Sequence, residues 1–285
     1  MDGPFIGSEA IATGLLRKYT LHNKFRRLHP DVYIAANSVL DTSTRARAAW
    51  LWSRRRGVIA GRSASALHGA KWSDSRATAE LLYAYRRPPP GISTWSDTFS
   101  DEEIQTIAGM RVTNPARTAL ELGCRYPLVK AFASLDALAR ATHLKIADVE
   151  LLAERYKGRR GIRQARSALN LVDAGAESPR ETWLRLLLIR AGFPRPQTQI
   201  PVYDEYGQLV AELDMGWKEM KLAVEYDGDH HRTDRRQFNK DITRAEALSD
   251  LGWTNVRVTA EDTEGGVVAR VSAAWERRTC TQFES

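Results

Sequence analysis

The sequence predicts a C-terminal α/β domain of order α-β-β-β-α-β-α behind a mainly helical N-terminal region. Three observations carry this. A complete helix start stands at Ser178-Pro-Arg-Glu181, short β-rich runs alternate with turn residues from position 199 onward, and the charge changes sign near residue 174. The chain has 285 residues and is 43% hydrophobic, which is room for about two domains of roughly 150 residues with packed cores and excludes disordered and fibrous classes.

Charge is unevenly placed. Residues 1–174 hold 27 Lys or Arg against 16 Asp or Glu, a net +11, whereas residues 175–285 hold 15 against 19, a net −4. A positive first section suits a phosphate-backbone partner, because pairing phosphates with Lys and Arg releases counterions. No apolar run approaches the ~20 residues that span a bilayer, and Met-Asp-Gly-Pro at the start is no basic-then-apolar leader. Cys124 and Cys280 are too few for a disulfide framework or a cysteine zinc site. A cytoplasmic location with no membrane association is the expectation.

In chain order, Ile11–Tyr19 and Leu21–Leu28 have helical spacing, and Asp31–Ala36 is a β-rich run after Pro30. Helices followed by a short extended segment suit a winged-helix module over residues 1–90. Its second helix would present His22, Lys24, Arg26 and Arg27 to phosphates, unless these are a solvated face. Thr42–Trp52 is a third helix, and Arg62–Gly69 opens another at a serine cap, with His68 packing or capping. Pro88-Pro-Pro90 marks a loop and the start of a middle region, 91–174. There Val112–Leu122 reads as a strand end, a cap and an amphipathic helix, and Ala131–Leu144, Ile146–Tyr156 and the segment after Gly158 continue as helices. Asp173–Glu177 is the expected linker to a third part, 175–285.

In that last part the helix from Ser178 runs to Gly192. Gln199–Tyr203, Val210–Trp217 and Lys221–Asp227 are three strands of an antiparallel meander, with turns at Tyr206-Gly207 and Lys218-Glu219. Thr233–Leu251 is a charged helix, Trp253–Thr259 a fourth strand and Gly266–Arg278 a closing helix. Strand periodicity puts Glu225 and Asp227 on one face, and pairing around the Lys218-Glu219 turn brings Asp214 beside them. Like charges so grouped call for a cation, and an oxygen-preferring ion, Mg²⁺ with Mn²⁺ as a substitute, is the natural one. Asp214, Glu225 and Asp227 are the candidate metal ligands. Glu181 leans over from the opening helix, and His230 or His231 is placed to orient or deprotonate water. Arg235, Arg236, Lys240 and Arg244 on the following helix are set to grip phosphates. Carboxylates holding an ion beside a basic helix suit phosphodiester hydrolysis, and each residue taken singly is also consistent with a solvated surface.

Leu213-Asp-Met-Gly-Trp, Leu222-Ala-Val-Glu-Tyr-Asp-Gly-Asp-His-His-Arg232, Asp241-Ile-Thr-Arg244 and Leu251-Gly-Trp-Thr-Asn-Val-Arg-Val258 resemble the restriction-endonuclease-like domain related to the very-short-patch repair endonucleases. The resemblance covers about residues 178–280. It implies a PD-(D/E)xK fold with Asp214 as the acid of the second strand and Glu225–Asp227 as the signature of the third. Asp227 stands where those repair enzymes carry a histidine, and the common Glu-x-Lys lysine is absent. Arg27-Leu-His-Pro-Asp-Val-Tyr-Ile34, Ser63–Gly69 and Ile107–Thr118 are similar to the AbiEi-type antitoxin family, a likeness over about Leu15–Leu122 that implies DNA binding. Two functions follow as expectations. One is a Mg²⁺-dependent DNA endonuclease of repair or defence with catalytic Glu181, Asp214, Glu225, Asp227 and His231. The other is a non-catalytic antitoxin-like regulator with a degenerate nuclease domain. Duplex DNA is the expected partner, with a toxin or repair protein beside it.

Overall fold

The computed structural model describes residues 3–71, 74–227 and 235–283, with the side chains of 235–241 and 281–283 outside that description. Contacts divide the chain into two compact units, Met1–Val172 and Asp173–Ser285. The described residues form a mixed α/β structure of three sheets and eleven α-helices. Among them, no helix is long and apolar enough to cross a membrane.

The first unit opens with β1 (Phe5–Ile6), α1 (Gly7–Ala12), α2 (Lys18–Lys24), β2 (Phe25–His29) and β3 (Val32–Ala35), the strands lying in the order β1-β3-β2. The helix expected over Leu21–Leu28 stops at Lys24. Phe25–His29 pairs instead with β3, Arg26 opposite Ile34 and Arg27 opposite Tyr33, because Pro30 cannot continue a helix and Asp31 turns the hairpin at φ +61°. α3 (Thr42–Trp52) starts at Asp41, whose carboxylate accepts from the Thr44 N–H at 2.7 Å. Ala48 and Leu51 of α3 pack with Ile6 and Val32, and Ala46 and Ala49 pack with a second sheet. The helix is apolar on both flanks because both flanks are covered.

That second sheet has the order β6-β5-β4-β8-β7, from β4 (Val58–Ile59), β5 (Ala79–Leu82), β6 (Ile92–Trp95), β7 (Ile104–Ile107) and β8 (Met110–Thr113). It runs across the expected division at residue 90, since β5 pairs in parallel with β6 beyond the three prolines. Eight strands also make this unit less helical than its sequence suggests. Runs of two to four residues buried throughout, such as β5, show no alternation by which to recognise them. α4 (Gly61–Leu67) begins at Ala60 with no side-chain cap, and the expected serine cap is absent because Ser63 Oγ accepts from the Glu80 N–H at 3.0 Å. His68 closes that helix with Nε2 2.8 Å from the Thr113 carbonyl. Asn114 then caps α5 (Pro115–Arg125), accepting from the Arg117 N–H at 2.8 Å, and α5 packs against α6 (Leu128–Thr142), α7 (Ile146–Arg155) and α8 (Ile162–Leu169).

The second unit has the order α9 (Pro179–Arg190), β9 (Gln197–Tyr203), β10 (Leu209–Trp217), β11 (Leu222–Tyr226), α10 (Arg235–Asp250), β12 (Thr254–Val258), α11 (Glu264–Phe283). Ser178 caps α9 through the Glu181 N–H at 3.1 Å, with Pro179 in its first turn. Strands β9, β10 and β11 form an antiparallel meander, and β12 joins β11 in parallel after the α10 crossover, giving the order β12-β11-β10-β9. Leu184 and Leu188 of α9 and Val267 and Val271 of α11 pack with Met215, Trp217, Val224 and Val258. Leu248 of α10 packs in a separate cluster with Ile200, Leu213 and Ala223. Gly216 lets β10 and β11 approach, since an added Cβ would meet the Leu222 carbonyl and lie 2.9 Å from the Ala223 Cα. Gly216→Ala is expected to cost about 1–2 kcal/mol in urea denaturation, because the obstructing atoms are backbone.

Candidate functional site

In the second unit the antiparallel register pairs Met215 with Val224, which sets Asp214 next to Glu225 across β10 and β11. Asp214 Oδ2 accepts from the Tyr226 N–H at 2.9 Å. Burial first, then the negative charge of Glu181, push the Asp214 carboxyl up to about 7, with Glu225 adding to the rise and the Tyr226 N–H and Arg244 opposing it. Glu181 is itself buried, one of its oxygens accepting from the Glu177 N–H at 2.7 Å. The fold thus brings Asp214, Glu225 and Glu181 into one neighbourhood.

The cation beside them is an arginine. Arg244 of α10 donates from Nη2 to Glu225 Oε1 at 2.6 Å and from Nη1 to Oε2 at 3.4 Å, and its Nη2 also reaches the Glu212 carbonyl at 2.9 Å. Asn255 of β12 donates its amide to the second Glu225 oxygen. Both Glu225 oxygens therefore already accept from cationic or amide side chains. Among the described residues no group of three His, Cys, Asp or Glu is disposed to hold a metal ion. Arg244 correspondingly points into the acid cluster and not outward to phosphate, because a two-point guanidinium contact to a buried carboxylate outcompetes water. Asp227 extends the β11 pairing, its N–H donating to the Val258 carbonyl at 2.7 Å. His230 and His231 lie outside the described residues, as do the side chains of Arg235, Arg236 and Lys240 on α10.

The Asp214 environment has a measurable consequence. A carboxyl whose folded pKa stands above its unfolded value binds more protons when folded, so it costs nothing below about pH 4 and costs stability as pH rises toward 7. Asp214→Asn is expected to raise stability at pH 8 by about 1–2 kcal/mol relative to the native chain while leaving it little changed at pH 4. Denaturation curves at the two pH values measure the difference.

In the first unit Lys24 ends α2, and Arg26 and Arg27 lie on β2, all three exposed. Consecutive strand residues occupy opposite faces, so the two arginines flank the hairpin instead of lining one helix. Arg26 Nη2 donates to the Ser38 carbonyl beyond β3 at 2.6 Å, and Arg27 Nε donates to the His29 carbonyl beside the turn at 3.3 Å. His22 is exposed on α2, its ring 6.3 Å from that of Tyr33.

Sequence reasoning missed a buried ionic network in this unit. Arg117, with no exposed surface, contacts Glu103 at 2.5 Å and Glu121 at 2.9 Å and lies over the Tyr156 ring at 5.0 Å. Glu121 accepts in turn from the Gly61 N–H at 2.9 Å. The only signal available was the i,i+4 spacing of Arg117 and Glu121, which is common on exposed helices.

Residues 58–174 match the family described as the AbiEi antitoxin C-terminal domain. The match begins at β4, takes in the whole five-stranded sheet and α4 to α8, leaves out α3, and ends beside the unit boundary. The chain is 33% identical over 177 residues to an uncharacterized protein in each of two Mycobacterium tuberculosis strains, CDC 1551 / Oshkosh and H37Rv. That similarity covers 61% of this chain and 65% of each relative, just under two thirds of their length. No solved structure matches the chain.

Proposed function

We propose that the chain is an antitoxin-like DNA-binding regulator whose second unit keeps a nuclease-like arrangement without a working metal site. The observation that carries this reading is the Arg244 guanidinium seated on Glu225, where a nuclease would need an ion. The AbiEi antitoxin match over residues 58–174 supports it from the other unit. The three-stranded β1-β3-β2 sheet entered through α1 and α2 suits a winged helix, and Lys24, Arg26 and Arg27 supply the charge that docks such a module on duplex DNA. The α-β-β-β-α-β-α order with β12 parallel to β11 suits a restriction-endonuclease-like ancestry of the second unit. A cognate toxin is the protein partner this reading implies.

Arg26→Ala and Arg27→Ala are each expected to weaken duplex binding several-fold. Each also lowers the slope of log affinity against log salt by about one, the signature of a lost phosphate contact. Fluorescence anisotropy across a salt series measures both effects. Unchanged affinity and slope in the double variant would remove the β2 arginines from the interface.

A further inference from the structure

Beyond the end of β5 the chain carries Tyr83-Ala-Tyr-Arg-Arg87. The Tyr83 and Tyr85 rings are parallel, 1° apart in orientation with centroids 6.0 Å apart. Trp52 of α3 meets both edge-on, at 6.0 Å and 5.3 Å, and fixes their common orientation. Tyr85 is 49% exposed, so an aromatic side chain of the stacked pair, held by its neighbours, is open to solvent. The groove beside them has a volume of about 490 Å³ and runs along the edge strand β6, with Ser93, Thr94 and Ser96 as polar wall. Its one charged lining residue is Arg86; no carboxylate lines it. Arg87 follows in the chain, and Arg56 lies over the other tyrosine at 5.9 Å from the ring centroid.

We propose that this groove is a stacking site for an unpaired nucleotide of a nucleic-acid strand. An aromatic platform with Arg86 beside it gives a base a π-face and its phosphate a counter-charge. The faces of bases inside a duplex are covered by their neighbours, so a platform of this kind selects single-stranded segments. A proline-rich peptide would also lie on aromatic rings, but it brings no negative charge for Arg86. The centroid spacing of 6.0 Å leaves no room between the two rings, so the base lies on the outer face of Tyr85. None of the residues that line this groove belongs to β2, and the proposal does not rest on duplex binding there.

The test is anisotropy of the full chain with labelled single-stranded oligo-dT, with a duplex of the same length as control. Tyr85→Ala is expected to weaken oligo-dT binding about tenfold or more, and Tyr85→Phe to bind within about twofold of the native chain, since the ring and not the hydroxyl carries the contact. Arg86→Ala should lower the single-strand salt slope by about 0.7, the value for one phosphate. Arg26→Ala should affect the duplex and leave oligo-dT binding as it was, which separates this site from the proposed duplex interface. The proposal is overturned if Tyr85→Ala and Arg86→Ala bind oligo-dT like the native chain. It is equally overturned if free thymidine monophosphate competes as well per nucleotide as the oligomer, because the site would then serve a free nucleotide.

Discussion

Arg117→Met is expected to destabilise the first unit by about 3–5 kcal/mol. The guanidinium is fully buried and neutralises Glu103 and Glu121, both buried. Methionine fills much of the volume but leaves two carboxylates in an apolar setting with their main counter-charge gone. Although burial raises the Glu103 carboxyl, hydrogen bonds from Tyr156 and Arg117 hold it below its ordinary value, so in the native chain this group contributes stability above the unfolded carboxylate pKa and loses it as pH falls. In the variant the loss should be greatest at neutral pH and shrink in mild acid, where the orphaned carboxyls take up protons. Adding Glu121→Gln should recover part of it, and the double-mutant cycle reads the coupling directly. A loss under about 1 kcal/mol would mean that solvent reaches these carboxylates and that the network is not the keystone of the region matching the antitoxin domain.

Arg244→Met is the second large effect, at about 2–3 kcal/mol, smaller because the arginine side chain is 31% exposed. It would leave Glu225 beside Asp214 and near Glu181 with only the Asn255 amide as compensation. Two signatures distinguish this from ordinary lost packing. The combination with Glu225→Gln should be milder than Arg244→Met alone, and the penalty should fall as pH drops through the range near 7 in which Asp214 protonates. A penalty independent of pH would show that Arg244 serves α10 packing and not the acid cluster.

Much of the second unit was legible from the residues, and the reasons are local. Ser178 and Pro179 specify a helix start whatever surrounds them, and the meander of β9, β10 and β11 follows from alternation and turn residues. Adjacent-strand register then brought Asp214 to Glu225 without tertiary information. Arg244 and Asn255 were not legible as its partners, because they come from α10 and from β12 after a crossover, and a helical arginine in a basic run looks the same facing phosphate or carboxylate. The first unit was harder to read. Its sheet is assembled from two- to four-residue strands separated by helices and a triple proline, and a fragment such as Val58–Ile59 acquires its identity only from pairing with β5 and β8. The Leu21–Leu28 segment shows the same limit: helical spacing to Leu28 is real, and Pro30 with the β3 partner overrides it from Phe25 onward.

On the function we propose, the chain binds duplex DNA without cutting it, because Arg244 occupies the charge position in the acid cluster. The most direct measurement incubates the native chain and Asp214→Ala with supercoiled plasmid and linear duplex in Mg²⁺, Mn²⁺ or EDTA, reading retardation and nicking from the same mixtures. Retardation in all three conditions with no nicking by either protein is the predicted result. Nicking by the native chain that needs the divalent ion and disappears in Asp214→Ala would contradict it.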